Sequence, residues 1–169
     1  NDLIVDIGSN DGNLLSFFKK NMRVLGITPE EIGKLAIKRG IPTILDYFNN
    51  KSRKKIINKY GKAKIITATN VFAHIDDVNN LISNIKKCLD KNGVFISESH
   101  YLLKVISGVQ YDTIYHEHMR YYSLTSLKKL FKRNNLYIFH AKEIPTHGGS
   151  IRVYVSNNQN IKETLEVKK

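Results

Sequence analysis

With 169 residues, 41% of them hydrophobic and 25% charged, the chain suffices for one α/β domain with a real core and falls short of two. No apolar run approaches the ~20 residues that span a bilayer, no secretory signal opens the chain, and the lone Cys88, expected buried on a helix, excludes an intrachain disulfide and a Cys-based zinc cluster and fits a reducing cytoplasm. The formal net charge of +12 sits on lysines spread among many asparagines and isoleucines; it reads as a bias of composition, with 51–55 and 128–133 as solvated helix faces, so neither a nucleic-acid nor a membrane partner is expected.

Apolar runs of four to seven residues alternate with helical patterns, the signature of βαβ units in a mostly parallel sheet. Residues 3–7 form a first strand, and a helix over 13–21 follows with Asp11 as its N-cap. A second strand covers 23–27; Pro29 and the Glu30-Glu31 pair then open a helix to Arg39, which Gly40 ends. Residues 41–45 are a short third strand, and 51–60 a basic helix closed by Gly61. A fourth strand runs over 64–69. Asp76 or Asp77 caps a long helix to about Leu89, and Asn92-Gly93 turns the chain into a fifth strand over 94–98. Residues 101–107 are weakly helical, and 110–122 carry aromatic and histidine residues without periodicity, as a loop does. Ser123 caps a helix through Lys132, and 136–142 and 150–156 are closing strands joined by Pro145-Thr-His-Gly-Gly149. One domain over 1–156 and a charged, unstructured tail over 157–169 are expected. The chain enters its first strand at Leu3 without an initiator methionine, as a portion of a longer protein does.

Asp6-Ile-Gly8-Ser9-Asn10-Asp11-Gly12 lies where the first strand passes into the first helix. Glycine there lets a ligand approach the backbone, and the helix start offers free amide donors. The spacing is not the G-x-G-x-x-G of dinucleotide folds. Its D-x-G-x-x-x-G instead resembles the first motif of class I methyltransferases that bind S-adenosylmethionine. That resemblance implies Asp6 facing the cofactor's amino group, with Gly8, Ser9, Asn10 and Gly12 under the methionine moiety. An acidic residue ending the second strand normally accepts from both ribose hydroxyls. Here Thr28-Pro29 occupies the place, so either Glu30 substitutes or the cofactor is held more weakly. Asp46, after the third strand, is positioned either to reach the adenine amino group or to form the turn before Tyr47. Thr69 and Asn70 end the fourth strand on the same side, where open α/β sheets bind ligands.

Of six histidines, His74, His100, His116 and His118 fall at element ends or loops on the carboxyl side of the sheet, and His147 falls in a further loop. Tyr115-His116-Glu117-His118 packs two imidazoles, a carboxylate and a phenol into an irregular segment, which packing alone does not explain. It lacks the H-E-x-x-H spacing of a zinc protease, and no further ligand cluster accompanies it, so no metal is expected.

V-D-I-G-S-N-D-G-N-L-L, N-V-F-A-H-I-D-D, D-T-I-Y-H-E-H, Y-S-L-T-S-L and P-T-H-G-G-S-I-R occur in that order and cover nearly the whole chain. Together they resemble the deoxysugar C-methyltransferase family. The resemblance implies a Rossmann-like class I fold: a mostly parallel seven-stranded sheet, helices on both faces, an antiparallel closing strand. It implies a cytoplasmic, monomeric enzyme that methylates the carbon beside a ketone of a nucleotide-linked deoxysugar, using S-adenosylmethionine. That chemistry needs a base for the C–H and a partner for the oxygen's developing charge. By resemblance His118 is the base, Glu117 orients it, Tyr115 is its hydrogen-bond partner or an alternative base, and His74 lies near the keto oxygen or the leaving proton. His116, His147 and Arg152 are placed at the substrate. The family also carries an N-terminal cysteine-rich zinc module and a longer C-terminal region, neither of which this chain supplies. Three other functions remain open: an O- or N-methyltransferase on another small molecule, a basic nucleic-acid-binding module, and an inactive cofactor-binding relic.

Overall fold

Five consecutive residues of the first strand, β1 (Leu3–Ile7), are buried, including Asp6. A strand apolar on both sides belongs in the middle of a sheet covered on both faces. A computed structural model, which describes residues 1–168, places it there. With β2 (Arg23–Thr28), β3 (Thr43–Leu45), β4 (Ala63–Thr69), β5 (Leu89–His100), β6 (Tyr137–Ile144) and β7 (Ser150–Ser156) it forms one seven-stranded sheet in the order β3-β2-β1-β4-β5-β7-β6. The first five strands are parallel, and β7 runs antiparallel between β5 and β6. The chain turns back across the sheet between β1 and β4, the switch point at which a crevice opens beyond the strand ends.

The helices α1 (Asn13–Ser16), α2 (Gly33–Lys38), α3 (Asn50–Tyr60), α4 (Val78–Cys88), α5 (Leu102–Ser107), α6 (Leu124–Arg133) and α7 (Leu165–Lys168) connect them. The larger core joins Val5, Ile66 and Val155 of the sheet to Ile56 of α3, Ile82 and Ile85 of α4, and Phe131 of α6. Phe72 anchors it, with Phe95 at 5.8 Å and Phe131 at 6.0 Å between ring centroids. A smaller core packs Leu15 and Ala36, from α1 and α2, with Ile4, Val24 and Ile41. Asn49 and Ser123 each close a capping box, with Ser52 and Ser126, at the starts of α3 and α6. Asp77 rather than Asp76 caps α4, accepting from the Asn80 amide at 3.0 Å. Cys88 is buried at the end of α4, and burial pushes its thiol up to about 11. The cationic stretches lie on α3 and α6 with most side chains in solvent. No helix of the described residues is long and apolar enough to cross a membrane.

Several boundaries differ from the sequence expectations. α1 ends at Ser16, because the Ser16 hydroxyl bonds back to the Asn13 carbonyl and the chain tightens into i to i+3 turns through Phe18. Its N-cap is Gly12, at φ 77, not Asp11, whose carboxylate accepts from the Asn13 amide and pairs with Arg39. α2 begins at Gly33 because Pro29 to Ile32 form turns first. β3 begins two residues later than expected, at Thr43. β5 starts at Leu89, ahead of Asn92-Gly93, and absorbs the extra residues as an irregularity opposite Ala63 and Ile65. Residues 157–168 are docked rather than loose. Val167 is 3% exposed, and Lys128 bonds both Glu163 and the Val167 carbonyl. Lys169 lies outside the described residues.

Candidate active site

A cavity of about 670 Å³ opens at the carboxyl ends of β1 to β4. Gly8, Asn10, Thr28, Pro29, Asp46, Thr69 and Asn70 line it, joined by Glu30, Tyr47 and Phe48. Gly8 is required at its place: φ is 75, and a Cβ would sit 2.7 Å from Val71. Asn10 and Asn70 also take left-handed conformations, at φ 47 and 56, which asparagine tolerates better than most residues. The Oδ1 of Asn70 is buried without a hydrogen-bond partner, an acceptor suited to a ligand's N–H.

Three expected cofactor residues do not line this cavity. Asp6 is buried on β1, where its carboxylate accepts from the Thr67 hydroxyl at 2.6 Å. Burial raises Asp6 to about 6, and the Thr67 hydrogen bond opposes that rise. Ser9 is buried against Gly26, where any side chain would strike its hydroxyl. Gly12 serves packing: a Cβ there would lie 2.9 Å from the Ala36 Cβ and 2.7 Å from Ile41. Thr28 is buried too, and its hydroxyl accepts from the Glu30 amide at 3.4 Å. The carboxylates at the cavity are those of Glu30, Asp46 and Glu117. Asp46 turns one oxygen to the Tyr47 amide.

Beyond the cavity, the loop after α5 is stitched to the turn after β4. Met119 donates its amide to the Ala73 carbonyl at 3.0 Å, and the Arg120 guanidinium donates to the carbonyls of Ile75 and Asp76. This seam aligns a row of imidazoles. His74 is 5.1 Å from His118, His118 is 5.0 Å from His100, and His100 is 5.7 Å from His147, between ring centroids. His147 therefore shares the carboxyl side with the others. Burial lowers the His100 pKa, and the neighbouring His118 and His147 lower it further.

The hydrogen bonds fix two tautomers. His118 Nδ1 lies 3.1 Å from the Thr113 carbonyl, which can only accept, so Nδ1 carries the proton. Nε2 of the neutral ring then accepts from the Tyr115 hydroxyl at 2.9 Å. His74 Nδ1 likewise donates to the Glu117 carbonyl at 3.0 Å, which leaves its Nε2 as an acceptor.

Two expected roles change. Glu117 does not orient His118: its carboxylate is exposed, 4.0 Å from His116 Nε2, and the Thr113 carbonyl does the orienting. Arg152 is not free for a substrate, because the buried Glu98 holds its Nε at 2.8 Å and its Nη2 at 2.7 Å. The other Glu98 oxygen accepts from Thr146 at 3.1 Å and steadies the turn that carries His147. His116 is 91% exposed at the cavity mouth. The described residues hold no group of three or more side chains that could hold a metal ion.

Residues 2–141 match the family model described as a methyltransferase domain. The chain belongs to that family. This methyltransferase domain is 34% identical over 157 residues to the C-methyltransferase NovU of Streptomyces niveus, covering 92% of the chain and 37% of NovU. The chain thus spans little more than a third of that relative's length. Among solved structures it resembles the magnesium protoporphyrin IX methyltransferase ChlM of Synechocystis with bound S-adenosylhomocysteine, at a TM-score of 0.68, 14% identity, and coverage of 92% of this chain and 74% of that one. An S-adenosylmethionine-dependent methyltransferase of Clostridium acetobutylicum gives a TM-score of 0.70 at 14% identity, covering 92% and 83%. These two share the fold. Family and fold together make the chain a methyltransferase domain.

Proposed function

We propose that this domain methylates the carbon next to a ketone on a nucleotide-linked deoxysugar. The observation that carries the reading is the His118–Tyr115 pair, in which a tautomer-locked imidazole faces a phenol 2.9 Å away on the loop whose His116 and Glu117 line the cavity. The likeness to the C-methyltransferase NovU supports it. The cavity residues fit the cofactor: Gly8 lines it with bare backbone, and Asn70 offers an acceptor that no protein group fills. In this reading Gly8, Asn10, Thr69 and Asn70 hold the methionine end, while Pro29, Glu30 and Asp46 hold the ribose and adenine end. Glu30 takes the diol contact because its carboxylate lines the cavity and can accept from both hydroxyls, which a threonine hydroxyl does not match. Asp6 acts from β1, and Ser9 and Gly12 shape the loop.

The bound cofactor supplies an electrophilic methyl group. His118 Nε2, directly or through the Tyr115 hydroxyl, removes the proton from the carbon beside the ketone. The Tyr115 hydroxyl donates to the oxygen as its charge develops, and His74, whose Nε2 accepts in the neutral ring, joins it only when that nitrogen is protonated. The nucleophilic carbon then forms its bond to the methyl as the sulfur–methyl bond breaks. His116 and His147 flank the substrate.

Solvent exchange tests this. With S-adenosylhomocysteine bound, a thymidine-diphosphate 4-keto-6-deoxyhexose should exchange its α-hydrogen for deuterium in heavy water. An O- or N-methyltransferase needs no such step, so absence of enzyme-dependent exchange overturns the reading.

A further inference from the structure

The segment that carries Tyr115 and His118 leaves α5 through an unusual residue. Val109 is β-branched, 75% exposed, and held at φ 49, a conformation such residues rarely adopt. Strain of this kind persists only where neighbouring contacts fix the backbone. The next residue supplies them. The Gln110 side chain donates its Nε2 to the Gly148 carbonyl at 2.7 Å, across to the turn between β6 and β7. Gly148 makes the room: a Cβ there would come within 2.6 Å of Gln110 Oε1 and 2.8 Å of Nε2. That Oε1 is buried without a partner, a further cost accepted at this contact.

On the other side, the Gln110 backbone carbonyl accepts from both the Thr113 hydroxyl, at 2.9 Å, and the Thr113 amide, at 3.2 Å. The Thr113 carbonyl, turned outward by this arrangement, accepts from His118 Nδ1 at 3.1 Å and from the Tyr121 hydroxyl at 2.8 Å. One short run of hydrogen bonds therefore joins the Gly148 turn to the imidazole: Gly148, Gln110, Thr113, His118. The far end is firm, because Glu98 holds Thr146 and the Thr146 carbonyl accepts from the Gly149 amide at 3.0 Å.

We propose that Gln110 is a positioning residue: by clasping Gly148 it sets the Thr113 carbonyl that locks His118 in its Nδ1–H tautomer, with an unprotonated Nε2 turned to the Tyr115 hydroxyl. Its effect on turnover rests on His118 being the base proposed above; its effect on the tautomer does not.

The test is nitrogen NMR of histidine-labelled protein saturated with S-adenosylhomocysteine, with the His118 signal assigned from H118N. Wild-type His118 should appear as the Nδ1–H form. In Gln110→Glu, which keeps the volume and loses the donor, and in Gly148→Ala, which fills the space, the signal should move to the Nε2–H form that free imidazole prefers. The affinity for S-adenosylhomocysteine should not change. With the 4-keto sugar, kcat should fall about ten- to a hundredfold, the scale of a displaced catalytic group, at unchanged KM for S-adenosylmethionine. If both variants bind S-adenosylhomocysteine normally and keep the Nδ1–H signal, the proposal fails. If they lose that binding as well, Gln110 supports the whole domain rather than the base, and it fails too. Absence of exchange in the wild type would count against the chemistry alone and leave the tautomer result standing.

Discussion

The Thr113 carbonyl and the His118 imidazole are five residues apart and joined at 3.1 Å, which decides which His118 nitrogen can take a proton. Replacing His118 by asparagine should slow solvent exchange at the substrate's α-carbon by about 10²–10⁴-fold, the usual share of a general base. Tyr115→Phe, which removes only the hydroxyl donor, should cost about tenfold, the worth of one such hydrogen bond. Calorimetry should show unaltered binding of S-adenosylhomocysteine in both.

Asp6 gives the folded domain a defined pH response. Its carboxyl is raised from 3.8 to about 6 mainly by burial, so the folded state prefers the protonated form. The contribution of Asp6 to stability is therefore greatest below about pH 4, falls as pH rises toward about 6, and levels off above it. The difference between 3.8 and about 6 corresponds to roughly 3 kcal/mol at about 1.4 kcal/mol per pH unit. Asp6→Asn keeps an acceptor for the Thr67 hydroxyl and carries no charge. Its melting temperature should exceed wild type at pH 8 by several degrees, with the gap closing at pH 4.

Gly12→Ala should destabilise the domain by about 2–4 kcal/mol, combining a left-handed φ with crowding against Ala36 and Ile41. Because the damage lies between α1 and α2, urea unfolding should report it. Cofactor affinity of the folded fraction should stay at the wild-type value.

Arg152→Met leaves Glu98 buried and charged beside Thr146, at a cost of about 2–3 kcal/mol. The double variant with Glu98→Met should recover most of it. A double-mutant cycle in denaturant measures the coupling, and additivity would show that the pair is of no consequence.

Glu30→Gln should weaken S-adenosylmethionine about tenfold, the worth of one hydrogen bond to a charged acceptor. The matching test is a cofactor analogue lacking a ribose hydroxyl, against which wild type and variant should bind alike.

Much of the fold is legible in the residues. The buried β1, the Ser123 cap and Gly61 fall where periodicity and capping chemistry place them, while the Asn49 cap of α3 is not among the sequence expectations. The cavity follows from strand order, and most of its lining follows from the ends of β1 to β4. Other features are hidden for physical reasons. Gly12 looks the same whether glycine clears space for a ligand or for Ala36. In an irregular loop no period says which way a side chain points, so neighbouring Glu117 and His118 part company, one to solvent and one toward Thr113. Gln110 stands directly before the Tyr-Asp-Thr segment, yet its partner lies 38 residues onward, and nothing local in either stretch announces the meeting.

The docked segment after residue 160 has one more consequence. Among the described residues β6 is the last strand of the sheet, and no other strand of them takes its outer backbone groups. Thr164 donates its amide to the Phe139 carbonyl at 2.9 Å, and α7 packs alongside, with Val167 buried. An uncovered terminal strand is a template onto which a second molecule can add its own. These few residues therefore act as a guard against end-to-end aggregation, and a chain shortened before Ile161 should lose solubility before it loses its cofactor site.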